Sequence, residues 1–293
     1  MLTREEWRAI AEAHRAEAEA ELADVIRRRR EGERHPVEDF LFHYYNLRPG
    51  HLTRWYPGVG VEVEDDGSWP APDYRVTGGR ATVDADHLRA RRGRTLRHAA
   101  ELLRASARRP PRFACHGMHE WAMVLGLEPH ETRHPYLPLR HTPDEIRDIV
   151  TDVGCCCSHV DAFRFFTPEA RPLNALRPTR ERQAHFDQPG YLHVNMDLYK
   201  WAGKLLPATP SSLLMRTFRL AREIREVDMR ASAYDLTDWG YAPIPVETEE
   251  GRDEYVRLQR DFARRSVPLR HELITVLERL GVGTALREEP VAT

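Results

Sequence analysis

Helical periodicity, stretch after stretch with its own start signal, constrains this chain more than any other feature. Thr3 with Glu6 three residues later forms a capping box, and Trp7, Ile10, His14, Leu22, Val25 and Ile26 follow as a helical stripe. Arg27 to Arg30 closes that stretch with positive charge, which suits a helix C-terminus. His35 to Tyr45 predicts a short buried helix with Pro36 in its first turn. A longer helix is expected from about Asp84 to Ala107, ended by Pro110-Pro111, and an apolar one from Phe113 to Leu125. Thr142-Pro143-Asp144-Glu145 opens another, with cap residue, N1 proline and N3 glutamate all in place. Helices resume at about 194–206, 211–227 and 251–280. The last carries Tyr255, Leu258, Phe262, Leu269, Leu273 and Leu277, with a bend expected at Pro268 and Gly281 as its stop.

Residues 55–84 break this pattern. Glycines and prolines there punctuate short runs such as Val59–Glu64 and Tyr74–Thr77, which predict a small hairpin or irregular β excursion. The fold class is therefore mainly α, one globular domain over 1–293 with a β insert near 55–84. At 293 residues, 41% hydrophobic and 31% charged, the chain can bury a sizeable core.

A formal net charge of −2 gives no global electrostatic case for nucleic acid or an anionic membrane. No apolar run approaches the roughly 18–20 residues of a membrane helix, and Met1-Leu-Thr-Arg-Glu-Glu-Trp lacks a signal-peptide core. Three of the four cysteines are consecutive, Cys155-Cys156-Cys157, a poor start for disulfides or a zinc ribbon. The expectation is a cytoplasmic protein with free thiols.

Chemistry is most concentrated where eight of the fifteen histidines fall, between residues 116 and 193. If residues 113–125 are helical, His116, His119 and Glu120 share a face at i, i+3 and i+4. A mononuclear metal wants two or three such ligands and an open position. His193 and Asp197, four apart, suit a shared metal or a hydrogen bond that fixes the imidazole tautomer, although Lys200 is placed to pair with Asp197 instead. His159 and Asp161 share a face only if extended, and Arg164 beside them offers a planar fork for an anion or a partner for Asp161. Asp39 and His43 echo the pattern. Each cluster also reads as a packed histidine beside a salt-bridged helix end.

Residues 80–112 hold ten arginines against Asp84, Asp86 and Glu101, either a phosphate-binding face or a solvated surface. No Walker loop, GxGxxG turn, GxSxG elbow or HExxH helix occurs. Asp228-Met-Arg-Ala-Ser-Ala-Tyr-Asp235 ends a charged helix that could reach the site, although on sequence alone it is only a polar helix end.

Four blocks, His35-Pro-Val-Glu-Asp-Phe-Leu-Phe, Cys115-His-Gly-Met-His-Glu-Trp-Ala-Met-Val, Gln188 through Trp201 and Asp228 through Leu236, resemble motifs of an actinobacterial family named as 3-methyladenine DNA glycosylases. The resemblance spans nearly the whole chain and implies release of alkylated bases from DNA. Such an enzyme needs an aromatic pocket for a flipped base and a positive track, for which Trp55, Tyr56, Trp121, Trp201 and residues 80–112 are the candidates. Trp55-Tyr56-Pro57-Gly58-Val59-Gly60 is similar to a helix-hairpin-helix turn, but the residues after it alternate like a strand. A phosphate grip needs a helix there.

Three functions follow as expectations. The first is a metal-dependent oxidoreductase or hydrolase with iron or zinc and a small-molecule substrate. Its metal ligands come from His116, His119, Glu120, His159 and His193, with Asp161 and Asp197 as orienters or further ligands and Arg164 or Lys200 as anion clamp. The second is the DNA N-glycosylase, with Asp161, Asp197 or Glu120 activating water. The third is a non-catalytic binding protein.

Overall fold

Twelve α-helices and three short strands, besides 3₁₀ turns, form the secondary structure of residues 1–283, which the computed structural model describes. The capping box at Thr3 and Glu6 starts α1 (Arg4–Glu21). The predicted stripe divides at Leu22, whose non-helical backbone lets α2 (Ala23–Glu31) turn so that Leu22 and Val25 both enter the core. The third helix, α3 (Phe40–Tyr44), is shorter than the predicted 35–45. Local side chains capture the amides before it, His35 Nδ1 accepting from Val37 and Glu38 and Asp39 accepting from the His35 amide. Asp39 also takes Arg28, and His43 bonds the Asp39 carbonyl, so that pair is structural.

After α4 (Pro49–Thr53) comes the predicted β excursion, with β1 (Val63–Glu64), β2 (Tyr74–Thr77) and β3 (Arg80–Val83) antiparallel in the order β1-β3-β2. Gly78 and Gly79 join β2 to β3, both at positive φ as a two-residue hairpin requires. The sheet packs on α1 as a satellite cluster of Trp7, Val63 and Ala81, flanked by Trp55 and Trp69. Trp7 Nε1 donates to the Glu64 carbonyl, and Leu2 bridges to Val63.

The arginine-rich α5 (Ala85–Ala107) follows. Several of its arginines are engaged by carbonyls just past helix ends: Arg89 by Leu280, Arg92 by Leu206 and Arg104 by Val282 and Gly283. That use suits guanidinium groups near helix C-termini.

Where Phe113–Leu125 predicts a continuous helix, only α6 (Met118–Ala122) forms. His116 and Gly117 both have positive φ, which no helix tolerates, and a Cβ at Gly117 would meet Ala231 at 3.2 Å and Tyr255 at 3.3 Å. The helix start is thus set by a close approach that only glycine permits. The capped α7 (Pro143–Val153), α8 (Val160–Phe163) and α9 (Gln183–Phe186) lead to the centre of the molecule.

That centre is α10 (Leu192–Lys204), packed against α11 (Ser211–Arg230) and α12 (Glu249–Arg279), with α5 outside α12. The last helix runs through Pro268 without a break. Residues on every side of α10 are buried, among them His193, Asn195 and Asp197. A helix buried all round must find internal partners for its polar side chains. Among the described residues, no helix is long and apolar enough to cross a membrane, and all four cysteines are free.

Candidate functional site

Successive turns of one face of α10 meet two different sets of partners. His193 faces α6 and α11, and Asp197 faces the segment around α8. Among the described residues these make two buried groups able to hold a metal ion: His119, His193 and Asp228, and His159, Asp161 and Asp197.

In the first group Asp228 is fully buried on α11. His119 Nε2 lies 2.8 Å from Asp228 Oδ1, and His193 Nε2 lies 3.9 Å from Oδ2. Adjacent ligands of an ion at about 2.1 Å stand about 3.0–3.4 Å apart, so these spacings bracket what a small divalent cation needs. The His119 and His193 ring centroids are 4.6 Å apart. Arg225 Nη1 donates to Asp228 Oδ2 and to Glu120 Oε1, both at 3.0 Å, which ties α11 to α6. Burial alone would raise the Asp228 carboxyl, but His119, His193 and Arg225 outweigh it and hold the group well below the carboxylate range. Burial lowers His119, yet Asp228 and Cys115 prevail and raise it above its ordinary value. Burial and the neighbouring imidazoles push His193 down to about 3 against the pull of Asp228, so its ring is neutral. Burial and Asp228 raise Glu120, although Arg225 opposes them.

The second group is closed by fixed cations. Lys200 Nζ donates to Asp197 Oδ2 at 2.8 Å and to Asp161 Oδ2 at 3.3 Å, Arg180 pairs with Asp161, and the Tyr45 hydroxyl donates to Asp197 Oδ1 at 2.8 Å. His159 Nε2 is 3.4 Å from Asp197 Oδ2, and its ring stacks 5.3 Å from His193. Burial would raise Asp197, but Lys200 and His159 hold it well below the usual range. The ammonium of Lys200 stands between two carboxylates, where a metal ion would otherwise bind. The first group is therefore the better metal site.

The sequence-derived residues divide accordingly. His119, His159, His193, Glu120, Asp161, Asp197 and Lys200 converge here. His116 does not, because the positive-φ turn before α6 leaves it half-buried and outside both groups. The expected His193–Asp197 pairing is not formed either, since His193 faces Asp228 and Asp197 faces His159. Arg164 is half exposed, stacks on Phe165 and reaches Asp161 only at 3.9 Å, while Arg180 takes that carboxylate. Of the four aromatics expected to hold a base, none lines the cleft described next. Trp55 packs with Trp7 and Trp69, Tyr56 is buried beside Arg54, Trp121 donates to the Ala231 carbonyl, and Trp201 is buried beside His98.

Asp228, Arg225 and Tyr45 were beyond local sequence spacing, although one signal existed. Leu214, Phe218, Ala221, Arg225 and Asp228 form a single helical stripe, and a charged pair on an otherwise apolar stripe requires a buried partner.

Access is through a narrow cleft of ≈ 30 Å³. Its walls include Glu120, Asp161, His193 and Arg225 on the inside and Phe40, Arg133 and Phe165 toward the rim. Arg133 lies over the Phe40 and Phe165 rings. Larger clefts, one of ≈ 750 Å³ between α5 and α9 and one of ≈ 300 Å³ between the end of α5 and α12, touch neither group. Cys115 Sγ is 3.3 Å from His119 Nδ1, which completes a thiol–imidazole–carboxylate chain. A bond to Cys157 and burial raise that thiol well above its ordinary value, and it does not line the cleft. A nucleophile needs the opposite conditions, so Cys115 orients His119. Two polar atoms nearby, the Tyr255 hydroxyl and His159 Nδ1, are buried without a partner among the described residues.

None of the protein-family models, curated proteins or solved structures compared with the chain matches it.

Proposed function

We propose that the protein is a metal-dependent enzyme acting on a small molecule, with His119, His193 and Asp228 as ligands. His193 carries the reading. It is a buried, neutral imidazole on the cleft wall, it makes no hydrogen bond among the described residues, and it lies 3.9 Å from a carboxylate already facing a second histidine. Two histidines and one carboxylate with open positions are the ligand set of non-haem iron oxygenases and of zinc hydrolases. A bound ion would supply Lewis acidity and lower the pKa of a coordinated water. Around it, Arg225 fixes the second Asp228 oxygen, Cys115 sets the His119 ring, and Glu120 on the cleft wall is placed to exchange a proton with substrate. Arg133 at the rim favours a substrate with negative charge.

Elemental analysis of untagged protein purified without chelator tests this reading, and the metal found separates oxidation from hydrolysis. About one equivalent of iron, zinc or manganese per chain is expected, and a folded His193→Ala variant should lose it. Stoichiometric metal retained in that variant would overturn the ligand assignment.

A second reading rests on the two carboxylates of the cleft. Burial raises Glu120, whereas Arg180 and Lys200 overcome burial to lower Asp161, and opposed protonation of this kind suits acid–base hydrolysis of a glycosidic bond. This is the chemistry a 3-methyladenine DNA glycosylase would use without a metal. Release of alkylated base from DNA by chelator-treated protein, abolished in Asp161→Asn, would favour it over the metal reading.

A further inference from the structure

On the side of α10 away from the histidines, Asn195 faces α12 and meets Arg270. This guanidinium is only 2% exposed, yet among the described residues it pairs with no carboxylate. It donates to Asn195 Oδ1 at 2.7 Å and to Ser266 Oγ at 3.3 Å, and its Nε has no acceptor among the described residues. The nearest acidic influence is Asp187, whose carboxylate bonds Gln183 and forms no ion pair with Arg270. A buried cation with a neutral partner and an idle N–H costs stability unless something else supplies the charge. Burial accordingly pushes Arg270 down to about 10.

Arg270 lines a cleft of ≈ 300 Å³ between the end of α5 and α12, a volume at the lower end of small-molecule pockets. The cleft has two kinds of wall. Arg109, Arg260 and Arg264, the last paired with Asp261, join Arg270 as cationic groups, and the lining includes no acidic side chain. Arg109 donates to the Asp187 carbonyl and Arg260 lies over the Phe113 ring, while neither pairs with a carboxylate among the described residues. Pro111, Phe113, Ala263 and the half-exposed Val267 make the remainder apolar.

We infer that this cleft binds a small amphipathic oxyanion, its charged head held by Arg270, Arg109 and Arg260 and its apolar body laid over Phe113, Ala263 and Val267. Guanidinium groups match the planar oxygens of such a head. Arg270 is enclosed, whereas Arg260 and Arg264 stand at the exposed rim, so a head group entering the recess passes from solvated to buried cations. The site is separate from the histidine groups and does not depend on the function proposed for them.

Calorimetric titration of the full chain with octanoate tests the inference, with 1-octanol as the neutral counterpart and inorganic phosphate as a head without a body. Octanoate should bind saturably at one equivalent, with 1-octanol and phosphate each at least about tenfold weaker. Arg270→Gln should weaken octanoate binding by about tenfold or more, and Arg260→Gln, at the exposed rim and safe for folding, by several-fold. Equal binding of 1-octanol and octanoate would overturn the proposal. So would phosphate binding as tight as octanoate, an unchanged affinity in folded Arg260→Gln, or no binding of octanoate at all.

Discussion

Asp197 and Asp228 are both buried carboxylates facing a histidine, and they differ in what balances their charge. Around Asp197 the cations are Lys200 and, through Asp161, Arg180, covalent parts of the chain that cannot leave. Around Asp228, Arg225 is shared with Glu120, and the other positive charge is a proton on His119, raised by Asp228 itself against the effect of burial. A proton can be exchanged for a metal ion, and an ammonium on a side chain cannot. Two groups built from the same residue types thus serve different ends: one braces the helix that carries it, and the other is left able to take a ligand.

Four changes break or sharpen that contrast. Asp228→Ala takes from Arg225 one of its two carboxylates and from His119 the charge that keeps it protonated, and should cost about 3–5 kcal/mol, read as a large drop in denaturation midpoint, with loss of metal. A midpoint near wild type would mean that Asp228 does not organise the centre. Next, Lys200→Met in a His193→Ala background should lose about 3 kcal/mol and acquire a vacancy between Asp161 and Asp197. Added Zn²⁺ should then raise the melting temperature, whereas His193→Ala alone should show no such rise. If both respond alike, the ammonium is not what keeps metal out.

Cys115→Ala should leave the fold intact and weaken metal affinity about 10–100-fold in a chelator competition, as expected when a ligand loses the group that orients it. Unchanged affinity would show that the thiol merely packs. The smallest effect concerns His134, on the cleft wall near Arg225. Burial, then Arg225 and Arg133, push it down to about 4. Its folded value lies below its unfolded value, so its contribution is present above about pH 6.5 and is lost as pH falls toward 4. His134→Asn should flatten the pH dependence of unfolding free energy across that window by no more than ~2 kcal/mol, allowing for partial exposure. A slope unchanged from wild type would remove His134 from the account.

The helices, the β excursion and most of the polar side chains were legible in sequence because their signals are local: caps, periods and glycine pairs. The pairings were not, because they are remote in the chain. Asp228 lies 109 residues from His119, and Tyr45 lies 152 from Asp197. Spacing along a helix says which side chains share a face, but not what that face meets. His193 and Asp197 share a helix and serve different groups for that reason. At His116 the local signal misled, since the apolar-helical pattern from Phe113 to Leu125 concealed a positive-φ turn, with Tyr255 and Ala231 packed against Gly117.

The burial of α10 on every side carries a further consequence. A helix enclosed in this way has no route to solvent short of disrupting α11 and α12, so its amide protons should exchange with deuterium only when the whole molecule opens. The residence of His193 and Asp197 in their places is then as long as the lifetime of the native state, and anything bound there is held or released through the cleft, not by fraying of the element that supplies the ligands.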